Sequence, residues 1–282
     1  MFYKKLFFPI GAGDDIAQRI KGALLVNKFF GSHIEIMSCQ LDPQIIYSVK
    51  MTLRGGKLFD EFLQHAKQEM QEEKDKISNI FKEECEKLEV NISDDIKKQN
   101  SANLLHKTGN RSEIVSQLAK YCDLVVAATP LDGKITGTYE AAVLKSGKNS
   151  ITIPRNLNKF NPQKIIVSLT GTPQSIRSLT NSIFLLKRAK EVRCITSESY
   201  ISENPQETQN LIRDYLAIHG IKADFKIVET TKTPGEALLH QAHEFGADLI
   251  ISAANDENGV REVFLGSASK YYLKNTDTPS FM

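Results

Sequence analysis

Residues 123–128, DLVVAA, have a close counterpart 125 positions later in residues 248–253, DLIISA. Near the start of the chain, residues 5–13 (KLFFPIGAG) resemble residues 164–172 (KIIVSLTGT), which lie 159 positions further on. Each run is short and apolar and ends in small or turn-forming residues, as is typical of a buried parallel strand that leads into a helix. The sequence therefore predicts a tandem repeat of one α/β unit.

The two spacings differ, so the first repeat contains about 34 residues that the second lacks. We place most of them in residues 57–90, where apolar side chains recur at helical spacing among Glu and Lys. This pattern predicts a long amphipathic helix. We expect it to pack on its own sheet, because most apolar helix stripes face a core, and a docking face for a protein partner is the alternative.

Helices and strands alternate through both repeats. The remaining helices are predicted at residues 16–30, 176–189 and 236–245, and further strands at residues 34–37, 192–196 and 223–228. Such alternation calls for a parallel sheet with right-handed crossovers. We therefore predict an α/β fold of two tandem, doubly wound, Rossmann-like domains. They would comprise residues 1–157 and 158–282, joined near residues 154–162 and packed as an internal pseudo-dimer.

The net charge and the lengths of the apolar runs limit the kinds of partner that the chain can bind. The 282 residues carry 36 Lys and Arg against 34 Asp and Glu, a formal net charge of +2, which argues against a nucleic-acid partner held by a large positive excess. No apolar run approaches the ~18 residues of a spanning helix, so we expect no membrane association. The four scattered cysteines and the short N-terminal apolar run predict buried thiols in a cytoplasmic protein without a secretory signal.

A ligand site is predicted at the carboxyl ends of the strands in the second repeat, because open parallel sheets bind ligands where the strand order reverses. One strand end is followed by a polar turn. Another is followed by a loop that leads to a Gly-Ser pair at the start of a predicted helix. There, glycine permits close backbone approach and the hydroxyls can donate to a phosphate. The predicted binding residues are Thr170, Gly171, Thr172, Ala253, Asn255, Asp256, Gly266, Ser267, Ala268 and Ser269.

The second repeat resembles the universal stress protein family, and specifically its tandem two-domain members. The resemblance rests on short motifs in the family's order: residues 165–167 (IIV), 185–189 (LLKRA), 219–223 (HGIKA), 235–239 (GEALL), 247–250 (ADLI) and 261–267 (REVFLGS). The first repeat is a poorer match. Its residues 123–126 (DLVV) and 142–148 (AVLKSGK) look like the degenerate first domain of such tandem proteins.

The resemblance implies an adenine-nucleotide-binding fold, with ATP or AMP as the expected ligand. Nucleotide-binding members carry G-x-x-G, nine residues, and then G-S or G-T. On this chain the pattern begins at Ala253, has Asp256 at the second glycine and reaches Gly266 and Ser267 with its spacing intact. Both leading glycines are replaced, and Asp256 would bring a negative charge beside the phosphates.

The family often places an Asp after the first strand, where it can meet a ribose or a base. That position is Thr170 in the second repeat and Gly11 in the first. The first repeat also lacks a Gly-Ser helix entrance after Ala128. The resemblance therefore implies nucleotide binding in the second domain rather than in the first.

No catalytic or metal site is assigned. The sequence contains no P-loop, Gly-x-Ser-x-Gly elbow, His-Glu-x-x-His motif or pyrophosphatase loop, and its six histidines form no triad by their spacing. We expect a non-catalytic cytoplasmic stress-response protein that binds an adenine nucleotide or another small ligand and signals through partner contacts, with homodimer formation left open. The alternatives are a weak ATP hydrolase or nucleotidyl-transfer enzyme of the same fold, and a ligand-free interaction module that uses helix 57–90.

Overall fold

The computed structural model describes residues 3–11, 13–45, 57–197, 205–228, 234–253 and 273–282. The chain divides into two compact units. The first contains Tyr3–Val126 and Gly137–Lys148, and the second contains Ala127–Thr136 and Asn149–Met282. Each unit is built of mainly parallel strands joined through helices, which confirms the predicted α/β class. The domain boundary at residue 157 and the pseudo-dimer stay predictions.

The first unit holds a parallel sheet. Its strands are β1 (Lys5–Pro9), β2 (His33–Gln40), β3 (Asn91–Ile92), β4 (Ser101–Thr108) and β5 (Leu124–Ala128). Its helices are α1 (Ile16–Phe30), α2 (Lys57–Lys87) and α3 (Arg111–Leu118), followed by a helical segment formed by Gly137–Tyr139 and Glu140–Leu144. The strands lie in the order β3-β4-β2-β1-β5, and every pair is parallel.

The second unit repeats this topology. Its strands are β6 (Ser150–Ile153), β7 (Lys164–Ser168), β8 (Glu191–Ser197), β9 (Ala223–Val228), β10 (Leu249–Ile251) and β11 (Ser280–Phe281). Its helices are α4 (Pro173–Leu186), α5 (Pro205–Ile218) and α6 (Pro234–Phe245). The order is β6-β11-β10-β7-β8-β9, with only β6 and β11 antiparallel among these strands. The run β9-β8-β7-β10 matches β4-β2-β1-β5, so the repeat predicted from sequence is present in the strand order.

The long helix predicted for residues 57–90 is confirmed as α2, although its packing is uneven. Ile77, Phe81 and Cys85 in the C-terminal half are buried at 1–3% exposure. In the N-terminal half, Leu58 is 60% exposed and Phe62 is 46% exposed. The expected packing on the sheet therefore holds for the C-terminal half, and the docking role of the N-terminal half stays a prediction.

All four cysteines are buried and unpaired, as the sequence predicted. Burial raises the pKa of Cys85, Cys122 and Cys194 to about 12. These thiols are therefore neutral at physiological pH and act as small apolar side chains.

The buried side chain of Arg19 stabilises the turn between β1 and α1. Its side chain is almost fully buried, with 1% exposure. Its Nη1 donates to Gly11 O and its Nη2 donates to Gly13 O, each at 2.8 Å, while Nε lies 3.0 Å from Asp15 Oδ1. A buried guanidinium is tolerated here because its charge is paired with the Asp15 carboxylate and two of its nitrogens donate to carbonyl groups.

We expect Arg19→Met to lower the free energy of unfolding by about 3 kcal/mol, since it leaves two carbonyl groups and a carboxylate without their donors. Urea titration followed by circular dichroism measures this loss. Arg177→Met, on the exposed face of α4, is the matched control and should change stability by less than about 0.5 kcal/mol. Equal losses in the two variants would contradict the role given to Arg19.

His33 is buried in β2 at 1% exposure, with Nδ1 2.7 Å from Ser101 Oγ. Burial lowers the pKa of His33 below its ordinary value of 6.5. The unfolded chain therefore takes up a proton more readily, so the contribution of neutral His33 to stability is present above pH 6.5. It is lost as the pH falls from there through the folded-state pKa.

We expect the free energy of unfolding to fall between pH 7 and pH 5, and His33→Gln to weaken this dependence because it removes the titrating group. Urea titrations at several pH values test this. His65→Gln is the control, since the His65 side chain is 76% exposed. A pH dependence that His33→Gln leaves unchanged would show that other groups cause it.

Candidate functional site

The strand order of the second unit reverses beside β7. The chain runs outward from β7 through α4 to β8 and through α5 to β9, and then returns through α6 to β10 on the other side of β7. Right-handed crossovers put α4 and α5 on one face of the sheet and α6 on the other. The carboxyl ends of β7 and β10 thus border the crevice where doubly wound sheets bind ligands.

The turn after β7 is shaped by Gly171 and Thr172. Gly171 has a φ of 71°, a left-handed conformation that favours glycine. Thr172 caps α4, and its side chain accepts from the Ser175 N–H at 3.3 Å. The Ser175 hydroxyl donates to Thr172 O at 2.9 Å and accepts from the Thr170 N–H at 3.3 Å. Because of this cap, α4 begins at Pro173, three residues before the predicted start.

This turn carries a pair of hydroxyl groups. Thr170 Oγ1 and Thr172 Oγ1 lie 2.9 Å apart, and both residues are half-buried. Pro173 at the start of α4 has no N–H, and the Ser175 N–H is taken by the cap. Because hydroxyl groups can both donate and accept, the turn is suited to hydrogen-bonding a sugar or the edge of a base.

Four of the ten predicted binding residues lie at this edge. Thr170, Gly171 and Thr172 follow β7, and Ala253 follows β10, whose Ile251 pairs with Val167 in parallel register. The other six lie outside the described residues: Asn255, Asp256, Gly266, Ser267, Ala268 and Ser269. For the described part, the structure brings the two predicted strand ends to one edge of the sheet.

Gly171 also borders a cavity of about 280 Å³ that the sequence analysis missed. Residues from β8, β9, α4 and α5 complete its lining. The cavity depends on how far α5 stands from the sheet, a distance that hydrophobic periodicity does not encode. Thr208 is the available signal, because it is a polar residue on the helical face that lines the cavity.

The first unit has a different arrangement at the equivalent edge. Gly11 stands in the place of Thr170, and its carbonyl accepts from Arg19. Gly137 and Thr138 begin a helical segment after β5, so the first unit has a Gly-Thr pair at the start of a helix where no Gly-Ser pair was predicted. A Cβ on Gly137 would lie 3.5 Å from the Ser112 side chain, so this entrance packs closely on α3.

The histidines are dispersed. His106 Nε2 lies 3.0 Å from Ser78 Oγ, and the His219 ring packs edge-on against Tyr215 with centroids 5.0 Å apart. Within the described ranges, no three His, Cys, Asp or Glu side chains gather in a way that would hold a metal ion.

None of the helices in the described part of the chain combines the length and apolar character that a bilayer crossing requires.

The universal stress protein family model matches residues 195–282, from within β8 to the residue after β11. No curated protein matches the sequence. Among solved structures, a universal stress protein from Archaeoglobus fulgidus DSM 4304 has a TM-score of 0.66 at 15% identity, covering 98% of this chain and 97% of that chain. A functionally unknown protein from Pseudomonas aeruginosa PAO1 has a TM-score of 0.57 at 12% identity, covering 99% and 92%.

The resemblance noted from the sequence is thereby confirmed at two levels. The family match covers the C-terminal part of the second unit, and the structural likeness extends over nearly the whole length of the chain. Residues 195–282 carry the sequence pattern of the universal stress protein family, and the chain as a whole has the universal stress protein fold, in agreement with a tandem arrangement.

Proposed function

We propose that this chain is a non-catalytic stress-response protein of the cytoplasm that binds an adenine nucleotide in its second unit and transmits the bound state through partner contacts. The observation that carries the proposal is the convergence of the β7 and β10 ends at the reversal of strand order, next to paired Thr170 and Thr172 hydroxyls. The family match to residues 195–282 supports the choice of ligand.

The nucleoside and the phosphates of the ligand would bind at different parts of the edge. The turn after β7 would hold the nucleoside, since it presents hydroxyls and has no N–H at Pro173. The phosphates would lie toward Gly266, Ser267, Ala268 and Ser269, with Asn255 and Asp256 at the rim. The Asp256 carboxylate would oppose phosphate charge, so AMP should bind no more weakly than ATP.

Isothermal titration of nucleotide-free protein with AMP and with ATP tests the proposal. We expect a 1:1 heat signal for both, an affinity for AMP at least equal to that for ATP, and a rise in melting temperature. Absence of both heat and thermal protection at millimolar nucleotide would remove the nucleotide from the proposal. Magnesium-dependent phosphate release that Ser267→Ala abolishes would instead favour the hydrolase.

Gly171→Ala probes the turn itself. Gly171 and Gly147 have φ values of 71° and 69°, so alanine should cost each position a similar 1–2 kcal/mol of stability, on the order of the left-handed penalty. We expect only Gly171→Ala to weaken AMP binding, by about fivefold or more, because the added methyl group stands at the proposed site. A Cβ at Gly147 meets nothing within 4 Å, which makes Gly147→Ala the matched control.

Equal affinities in the two variants, at equal stability, would place AMP away from this turn.

A further inference from the structure

The cavity that borders Gly171 lies between the sheet and the helices α4 and α5. Its walls include Leu169 after β7, Ile176 on α4, Ile212 on α5 and Phe225 on β9. Cys194 on β8 also lines it, at 2% exposure. These contributions come from five successive segments of the second unit, so the cavity is a feature of the packed α/β layers.

The first unit provides an internal comparison, because α2 and α5 end in the same way. After α2, the Val90 N–H donates to Cys85 O at 2.9 Å, and after α5 the Ile221 N–H donates to Leu216 O at 3.0 Å. Both are the six-to-one bonds that follow a helix C-terminus. Cys85 therefore corresponds to Leu216, and the preceding turns of the two helices can be aligned residue by residue.

This alignment pairs Phe81 with Ile212 and Ile77 with Thr208. Phe81 and Ile77 are each 3% exposed. Ile212 is half-buried and Thr208 is exposed, and both line the cavity. At two positions where the first unit fills its core with a ring and a branched aliphatic chain, the second unit carries smaller or polar side chains.

The described lining of the cavity presents no unpaired charge to a ligand. Burial raises the pKa of Cys194 to about 12, so its thiol stays neutral. Lys226 is the charged residue of the described lining, and its Nζ is held 3.0 Å from Glu244 Oε1 on α6, which packs on the opposite face of the sheet. A charged ligand group would therefore lose its hydration here without gaining a free partner of opposite charge.

The size of the cavity limits the ligand. Apolar cavities of about 150 Å³ take up benzene, so a volume of about 280 Å³ suits a group of roughly two fused rings. The uncharged polar side chains of the described lining are those of Thr196, Thr208 and Gln209. Purines have this size, but their ring nitrogens and amino group need more hydrogen-bond partners than a mostly apolar lining supplies. We propose that this cavity is a binding site for a compact, uncharged, apolar bicyclic ligand of the indole or naphthalene type. The proposal does not depend on nucleotide binding.

Isothermal titration of the full chain with indole tests the proposal, with the double variant Thr208→Ile, Ile212→Phe copying the filled core of the first unit. We expect 1:1 binding to the parent chain and at least tenfold weaker binding to the double variant. Ile218→Phe is the matched control on the same helix, since Ile218 is 81% exposed and lies outside the cavity lining. No binding to the parent chain at millimolar indole, or equal binding to the double variant, would overturn the proposal.

A second measurement keeps the test decisive if the double variant does not fold. In the parent chain labelled at isoleucine methyl groups, indole should shift the signals of Ile176 and Ile212 and leave that of Ile218 unchanged. Shifts at Ile218 without shifts at Ile176 and Ile212 would contradict the site.

Competition with AMP distinguishes the cavity from the proposed nucleotide site. Displacement of indole by AMP would show that the cavity is the pocket of the base and would overturn a separate apolar site. Retained indole binding in the presence of AMP supports it.

Discussion

The parallel pairing of β7 with β8 on one side and with β10 on the other is the constraint on which the candidate site depends. Right-handed crossovers carry the chain outward from β7 to β9, and the chain then returns past β7, where β10 pairs with the other side of β7. That return places two strand ends side by side and leaves a crevice between them. Thr170 and Ala253 lie more than eighty residues apart in sequence and share one edge for this reason.

The two units carry different side chains at equivalent positions of the fold. In the first, a fully buried Arg19 closes the turn after β1, and Phe81 and Ile77 fill the space beneath the long helix. In the second, the turn after β7 is held by a threonine cap, and the shorter helix leaves a cavity. The fold itself does not require a ligand site in either unit. One copy can therefore be optimised for packing while the other keeps a cavity that can bind a ligand.

Much of this architecture could be predicted from the sequence. The predicted bounds of α1 are confirmed, and its C-terminal end could be predicted because Gly31 supplies the stop, with a φ of 63° and its N–H bonded to Asn27 O. The predicted bounds of α4, 176–189, are wrong by three residues at each end, since the helix is capped by Thr172 and runs from Pro173 to Leu186. The burial of Arg19 could not be predicted, since it requires the carbonyl groups of a turn that exists only in the folded chain. The cavity was likewise beyond reach, because it reflects the distance between α5 and the sheet.

Hydrogen exchange of the full chain with and without AMP tests for a nucleotide site at the edge of β7 and β10, and it reports on both units in one experiment. We expect slower exchange in peptides that cover residues 168–176 and 249–253, and no change in peptides that cover residues 9–16 of the first unit. Protection confined to residues 9–16, or protection in neither region at saturating AMP, would contradict a nucleotide site at the edge of β7 and β10.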